Sequence, residues 1–323
     1  MRKRLLFFTM ILGLIPRIGF PQNDTLLDKL DGLPAKNDTH AGVKTGIDSS
    51  LYNQTTKINF HTYFILLGQD LKQQFTSPFH TKGEDWARVI AFGIGAGAMT
   101  LADKPIDHYA TNLRNNNSAV ASISKSITAF GGYEFFVLGA YTSYTLLSKN
   151  QKIKNTALLA TQAYITTGAI EASLKFITGR QRPNYIDPKT NVNKPTFHGP
   201  FYQFKKDENG AKHPKNSYNA FPSGHATVAF AAATVFAKEY KDKRAIPIIA
   251  YSAATLVSLS RITENKHWFT DVFVGAMLGY LSGKQVVNNY HKYAKLKAEQ
   301  KKKVSFNLQY FYGKLLPGLV YKF

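Results

Sequence analysis

The stretch 245–271, AIPIIAYSAATLVSLSRITENKHWFTD, decides the fold. From Ala245 to Leu259 it carries no charge and is too long for a strand, so it predicts a core helix. Val272 to Val287 repeats the pattern. The turn between the two collects Arg261, Glu264, Lys266, His267 and Asp271. Two apolar helices meeting at a turn rich in reactive side chains predict a bundle with its chemistry at one pole.

Working outward, similar apolar stretches occupy Val89–Ala102, Phe130–Leu147, Ala157–Ile177 and Ala226–Ala237, and Phe60–Phe75 has an amphipathic pattern. Polar connectors such as Lys149–Asn155 and Lys238–Arg244 join some of them. Gly275 and Gly279 lie one turn apart and allow a neighbouring helix to come close. The expected architecture is all-α, a bundle of about six core helices with the active site at one pole. A C-terminal β-hairpin follows, because Val304, Phe306, Leu308, Tyr310 and Tyr312 alternate before a Gly/Lys turn and Leu315–Phe323.

The chain has 323 residues, enough for one large domain or two small ones. It has no Cys, which excludes a disulfide scaffold, a thiol nucleophile and Cys-ligated metal sites. With 41 Lys+Arg against 20 Asp+Glu it is strongly basic, and such a charge attracts nucleic acid, anionic lipid or phosphorylated substrates. Without Arg2, Lys3, Arg4 and Arg17 there remain 37 basic residues against 20 acidic ones, a net of +17. No basic stripe interleaved with aromatics and no zinc-finger or RNA-binding signature appears, which argues against nucleic acid.

Residues 1–22 have the basic, then apolar, then polar order of an export signal or an uncleaved anchor. Residues 23–58 are a polar lead-in. Whether the helices cross a membrane stays open. Most apolar runs fall short of the roughly 20 residues a span needs, and Glu134, Gln162, Glu171 and Lys284 interrupt them. The basic connectors Lys149–Lys154, Lys238–Arg244 and His291–Lys303 do share one pole, as six spans with a positive inside would require. A cleaved signal would reverse that orientation, and the balance leans toward an exported, soluble or peripheral bundle.

Three segments carry the chemistry: Lys175-Phe-Ile-Thr-Gly-Arg-Gln-Arg182-Pro183, Pro222-Ser223-Gly224-His225, and Ser260-Arg261 through His267 to Asp271. Each ends or opens a predicted helix, and antiparallel neighbours bring all three to one pole. Lys175, Arg182 and Arg261 supply cations for phosphate oxygens. Ser223 is a good N-cap, and the free N–H groups of the helix it opens suit an anion. Gly224 permits close backbone approach. His267 and Asp271 are four apart, one face of a helix, where the carboxylate accepts the Nδ1–H and leaves Nε2 as a nucleophile. His225 is placed to protonate a leaving alkoxide and then activate water. This is a phosphate cradle that calls for no metal and no cofactor.

The three motifs together resemble the type-2 phosphatidic acid phosphatase superfamily, which also includes bacterial acid phosphatases and vanadium haloperoxidases. The resemblance covers about residues 85–290. It implies that Lys175, Arg182, Ser223, Gly224 and Arg261 bind phosphate, that His225 is the acid, that His267 becomes a phosphohistidine and that Asp271 orients it. The expected domains are then a helical phosphatase domain over 59–290 and a basic helix end with hairpin over 291–323. The expected function is metal-independent hydrolysis of a phosphomonoester or pyrophosphate, foremost a lipid phosphate. The expected location is exported, in a periplasm or cell envelope, peripheral or integral to a membrane. A soluble acid phosphatase, a haloperoxidase holding vanadate, and a non-catalytic envelope module are the alternatives. The aromatic-rich loop Asn184–Phe221 is either a lid near substrate or lipid, or a surface excursion. The remaining histidines (His40, His61, His80, His108, His198, His213, His291) lack metal-ligand spacing, and Trp268 reads as core.

Overall fold

The computed structural model describes residues 55–80, 83–132, 134–187, 191–207, 209–311 and 314–321. The export signal or anchor expected over 1–22, and most of the polar lead-in, lie outside these residues. The molecule is mostly helical. Among the described residues there are nine α-helices: α1 (Phe60–Thr76), α2 (Gly83–Met99), α3 (Asp103–Asn115), α4 (Ser118–Gly132), α5 (Glu134–Leu146), α6 (Gln151–Thr178), α7 (Gly224–Glu239), α8 (Ala245–Thr263) and α9 (Phe269–Lys303).

The expectation is about six core helices, and the apolar stretches behind it do not map one to one onto these nine. Four of the apolar stretches fall inside α6, α7, α8 and α9, but Val89–Ala102 runs from α2 into a 3-10 turn, and Phe130–Leu147 straddles α4 and α5. Helix α3 was missed because its sequence, DKPIDHYATNLRN, is polar, and the residues it buries are Asp103, Asp107 and Ala110. A search for apolar runs does not register a helix whose inner face is carboxylate. Pro105 is tolerated there because it sits in the first turn, where its missing N–H is not needed.

Local signals set the ends of the other elements. Asn59 caps α1, its Oδ1 accepting from Thr62 N at 2.8 Å. Asn150 caps α6, accepting from Lys152 N and Ile153 N. Gly179 ends α6 in the left-handed conformation, φ 53°, where a side chain is strained. A Cβ there would also strike the Gly199 carbonyl of the following loop.

Helix α7 is the axis of the bundle, flanked by α6, α8 and α9. Its contact with α9 is a seam of small residues. A Cβ on Gly275 would lie 2.7 Å from Ser223 O, and one on Gly283 would lie 2.5 Å from Ala231 O. Gly279 faces the Thr227 carbonyl more closely still. Leu66, Leu159, Ala163, Val235, Val286 and Val287 form the larger apolar core between α1, α6, α7 and α9. A smaller core of Ala110, Ala226, Ile262 and Val272 lies between α3, α7, α8 and α9.

Two segments, Asp85–Asn115 and Ala245–Thr263, are long and apolar enough to cross a membrane, by length and composition alone. Both turn most of that apolar window outward, with 6% and 28% of it buried.

Where α1 crosses α9 the core is polar. Asn289 Nδ2 donates to Asp70 Oδ1 at 2.6 Å and to Gln73 Oε1 at 2.7 Å, and Asp70 is 1% exposed. Burial pushes the Asp70 carboxyl up to about 7. The folded state therefore holds a proton that the unfolded chain releases near 3.8, so stability falls as pH rises through that window and stays reduced above it. Asp70→Asn keeps the acceptor for Asn289 and removes the charge. The variant is expected to melt about 2–4 °C higher than the wild type at pH 8 and to match it near pH 4. Parallel melting curves check this, and a variant equally destabilised at both pH values would refute it.

Candidate active site

Helix α6 brings Lys175 to its last turn, where Nζ pairs with Glu171 Oε1 one turn earlier. After the Gly179 cap the chain turns inward. Arg180 is wholly buried, its guanidinium held between Asp103 of α3 and Asp271 of α9. Arg182 comes next, its Nε donating to Asn219 Oδ1 at 2.9 Å. Arg261 reaches the same region from the last turn of α8 and is 6% exposed.

Helix α7 meets these cations with its N-terminus. A Cβ on Gly224 would lie 2.7 Å from Glu171 Oε1 and 3.5 Å from Lys175 Nζ, so the backbone sits close against that pair and a larger residue would push the Glu171 carboxylate aside. Ser223 occupies the N-cap position, but the expected cap bond is not made. Its Oγ is buried with no hydrogen-bond partner among the described residues. An unsatisfied buried hydroxyl beside free helix N–H groups is what an anion site presents.

His267 is 1% exposed, and its Nδ1 lies 2.7 Å from the Ala220 carbonyl. That contact fixes the tautomer: Nδ1 carries the proton and Nε2 keeps its lone pair. The expected Nδ1–H bond to Asp271 is corrected here, because Asp271 Oδ2 stands 3.7 Å away. The spacing argument assumed that both residues lie on one helix, yet α9 starts at Phe269 and His267 precedes it. Asp271 is instead the third helical residue. Its Oδ2 accepts from Trp268 N at 2.8 Å, the reciprocal half of a capping box, and its Oδ1 takes Arg180.

The three cations act on both histidines. His267 is held well below its ordinary value by burial, and then by Arg182, Lys175 and Arg261. His225 is lowered to about 4 by burial, and then by Arg261, Lys175 and Arg182. Burial, with Arg261 next, also lowers Arg182 to about 10. Lys175, Arg182, Ser223, Gly224, His225, Arg261 and His267 thus form one cluster, with Asp271 directly beneath. Trp268 is wholly buried, donating from Nε1 to Gln181 O at 2.7 Å, as a core residue.

Sequence reasoning missed Arg180, Asp103, Glu171 and the Ala220 carbonyl. Arg180 stood inside a quoted segment, between Gly179 and Gln181, without a pattern to separate it from Arg182. Asp103 lies 77 residues from its partner. A backbone carbonyl has no side-chain signature at all.

Residues 156–295 match the model of the PAP2 superfamily. The match begins later than the expected 85–290 and contains every expected site residue. Asp103, which holds the far side of Arg180, lies outside the matched segment. The chain is 42% identical over 66 residues to a lipid A 1-phosphatase of Porphyromonas gingivalis, covering 20% of this chain and 15% of that protein. It is 30% identical over 127 residues to a probable lipid phosphate phosphatase 4 of Arabidopsis thaliana, covering 36% and 41%. The chain thus spans less than half the length of these two curated relatives. Among solved structures, Aquifex aeolicus LpxE aligns with a TM-score of 0.42 at 22% identity, over 58% of this chain and 94% of that one.

A dianion in the cradle would offset the cations that depress His225 and raise its pKa above about 4. Binding then takes up a proton, so affinity rises as pH falls toward that value. Sulfate keeps its charge across this range. Its affinity, read by calorimetry, is expected to be several-fold higher at pH 5 than at pH 8 and nearly flat in His225→Gln. Equal wild-type affinity at both pH values would refute the coupling.

Proposed function

We propose that the protein is a phosphatase acting on a lipid phosphate at a membrane, through a phosphohistidine intermediate. One observation carries the reading: three cations converge on buried His267 and half-buried His225, beside a serine hydroxyl at a helix N-terminus that has no hydrogen-bond partner among the described residues. The names of the curated relatives and the outward apolar faces of Asp85–Asn115 and Ala245–Thr263 support the lipid assignment.

In this reading Lys175, Arg182, Arg261, Ser223 and the N–H groups at the start of α7 hold the phosphoryl oxygens. His267 Nε2 attacks phosphorus, forming an N–P bond as the P–O bond to the leaving group breaks. His225 gives its proton to the departing alkoxide. It then takes a proton from water, whose oxygen attacks phosphorus. The N–P bond breaks and inorganic phosphate leaves. The cradle stabilises charge that builds on the equatorial oxygens, which is where most of the rate of phosphoryl transfer arises. Asp271 acts through Arg180 and the start of α9, holding the segment that carries His267. Two finer points belong to the same proposal. The chain is exported before it works. The tail forms a hairpin, supported by antiparallel pairing of Val304–Phe311 with Lys314–Tyr321.

Purified protein in detergent micelles is expected to release phosphate from a diacylglycerol phosphate. His267→Ala should abolish release, and Lys175→Ala should lower it about 10²-fold or more. Release unchanged in His267→Ala would refute the phosphohistidine. Equal turnover of the lipid and a soluble monoester would replace the lipid reading with an unselective phosphatase.

A further inference from the structure

Beside the cradle a cavity of about 620 Å³ opens between the end of α6 and the loop that follows Arg182. Lys175 lines it, so it is continuous with the candidate active site. It is far larger than one phosphate needs and falls in the range of sites that hold a whole small molecule. Two further cations, Lys212 and Lys215, also line it. Both are exposed, and neither has an ion-pair partner among the described residues. The one carboxylate in the lining, Glu171, is already paired with Lys175.

The third wall is aromatic. Phe176, the residue after Lys175, stacks with Phe201 at 6.1 Å and Phe204 at 5.7 Å between ring centroids. Phe201 is 62% and Phe204 65% exposed, an apolar shelf left facing the opening. The loop behind it is braced. Tyr218 is 1% exposed, with the rings of Tyr202 and His213 each 4.7 Å from it. Gln203 ties the loop's two arms, accepting from Tyr218 N at 2.8 Å and donating to Pro214 O at 2.9 Å. A cavity built on fixed elements binds without first ordering its walls.

We propose that this vestibule selects amphiphiles whose head group carries a second anionic group, separate from the phosphate held at Lys175. Lys212 and Lys215 take that second group, a phosphate or a carboxylate. Phe176, Phe201 and Phe204 carry the adjoining apolar part. The assignment rests on the phosphatase reading and narrows its substrate class.

The test uses the full chain and the double variant Lys212→Gln/Lys215→Gln, whose exposed positions leave folding intact. Dioleoyl phosphatidic acid supplies one anionic group. Dioleoyl phosphatidylinositol 4-phosphate supplies two, separated by a ring. The double variant is expected to lose about tenfold in kcat/KM on the second lipid, the worth of two partly exposed charge contacts, while staying within about twofold on the first. Equal losses on both lipids, or none on either, overturn the proposal. Binding of both lipids to His267→Gln protein, with and without the two lysine changes, reads the vestibule without turnover. Absent turnover with a lysine-dependent binding preference for the second lipid refutes the phosphatase reading and keeps the vestibule. Absent preference refutes the vestibule alone. Inositol 1,4-bisphosphate, which lacks the chains, should bind more weakly than the second lipid; equal binding overturns the role of the aromatic shelf.

Discussion

One guanidinium holds the pole together. Arg180 is unexposed and meets Asp103 of α3 on one side and Asp271 of α9 on the other, partners 77 and 91 residues away. Bringing three charges out of water is costly, and losing any one partner would leave a buried charge uncompensated, at about 3–5 kcal/mol. The remaining oxygens of both carboxylates serve the start of α9. Asp103 Oδ1 accepts from Thr270 N and Oγ1, both at 2.8 Å, and Asp271 Oδ2 accepts from Trp268 N. Arg180 O accepts from Ala220 N at 3.0 Å, and Ala220 O in turn faces His267 Nδ1. The direction of the candidate nucleophile is therefore set two links away from the ion pair.

This arrangement separates charge by depth. Arg180 and its two carboxylates lie beneath His267, and Lys175, Arg182 and Arg261 lie on the cradle side. In the deep layer the two terminal nitrogens of Arg180 and the carboxylates of Asp103 and Asp271 pair within the protein, so its charges fix backbone. The cradle layer retains a surplus of cation, and the two histidines between bear its cost as depressed pKa values. That surplus is unfavourable in the empty protein and favourable once an anion enters, the balance expected of a site specialised for binding.

Much of this was legible in the sequence, and the failures have physical causes. Long, mainly apolar stretches located α6 to α9: α6, α7 and α9 bury much of their surface in the core, and α8 stays apolar although most of its window faces outward. Helix α3 was invisible because its buried face is Asp103 and Asp107, side chains that a hydrophobicity reading assigns to solvent. The cations, Ser223, Gly224 and both histidines stood out in the sequence because a phosphate site admits few residue types, and the structure brings them to one pole. The partner of His267 was misread because a four-residue interval implies a shared face only inside a helix. The helix begins two residues too late. Trp268, between them, reads as core rather than substrate contact, and it is wholly buried.

The seam between α7 and α9 explains why the two halves of the site are in register. Gly275 stands opposite Ser223, Gly279 opposite Thr227 and Gly283 opposite Ala231, one helical turn apart each time. Small residues at that interval let two backbones pack along their length, and no side chain on α9 can adjust the spacing. The N-terminus of α7, which carries Ser223 to His225, is thereby fixed to the N-terminus of α9, which follows His267. Ser223 N donates to Asp271 O at 3.0 Å at the head of the same seam. A larger residue at Gly275 would separate the cradle from the histidine before it disturbed the apolar core farther down. The glycines belong to the site's geometry as much as the candidate phosphate-binding residues do.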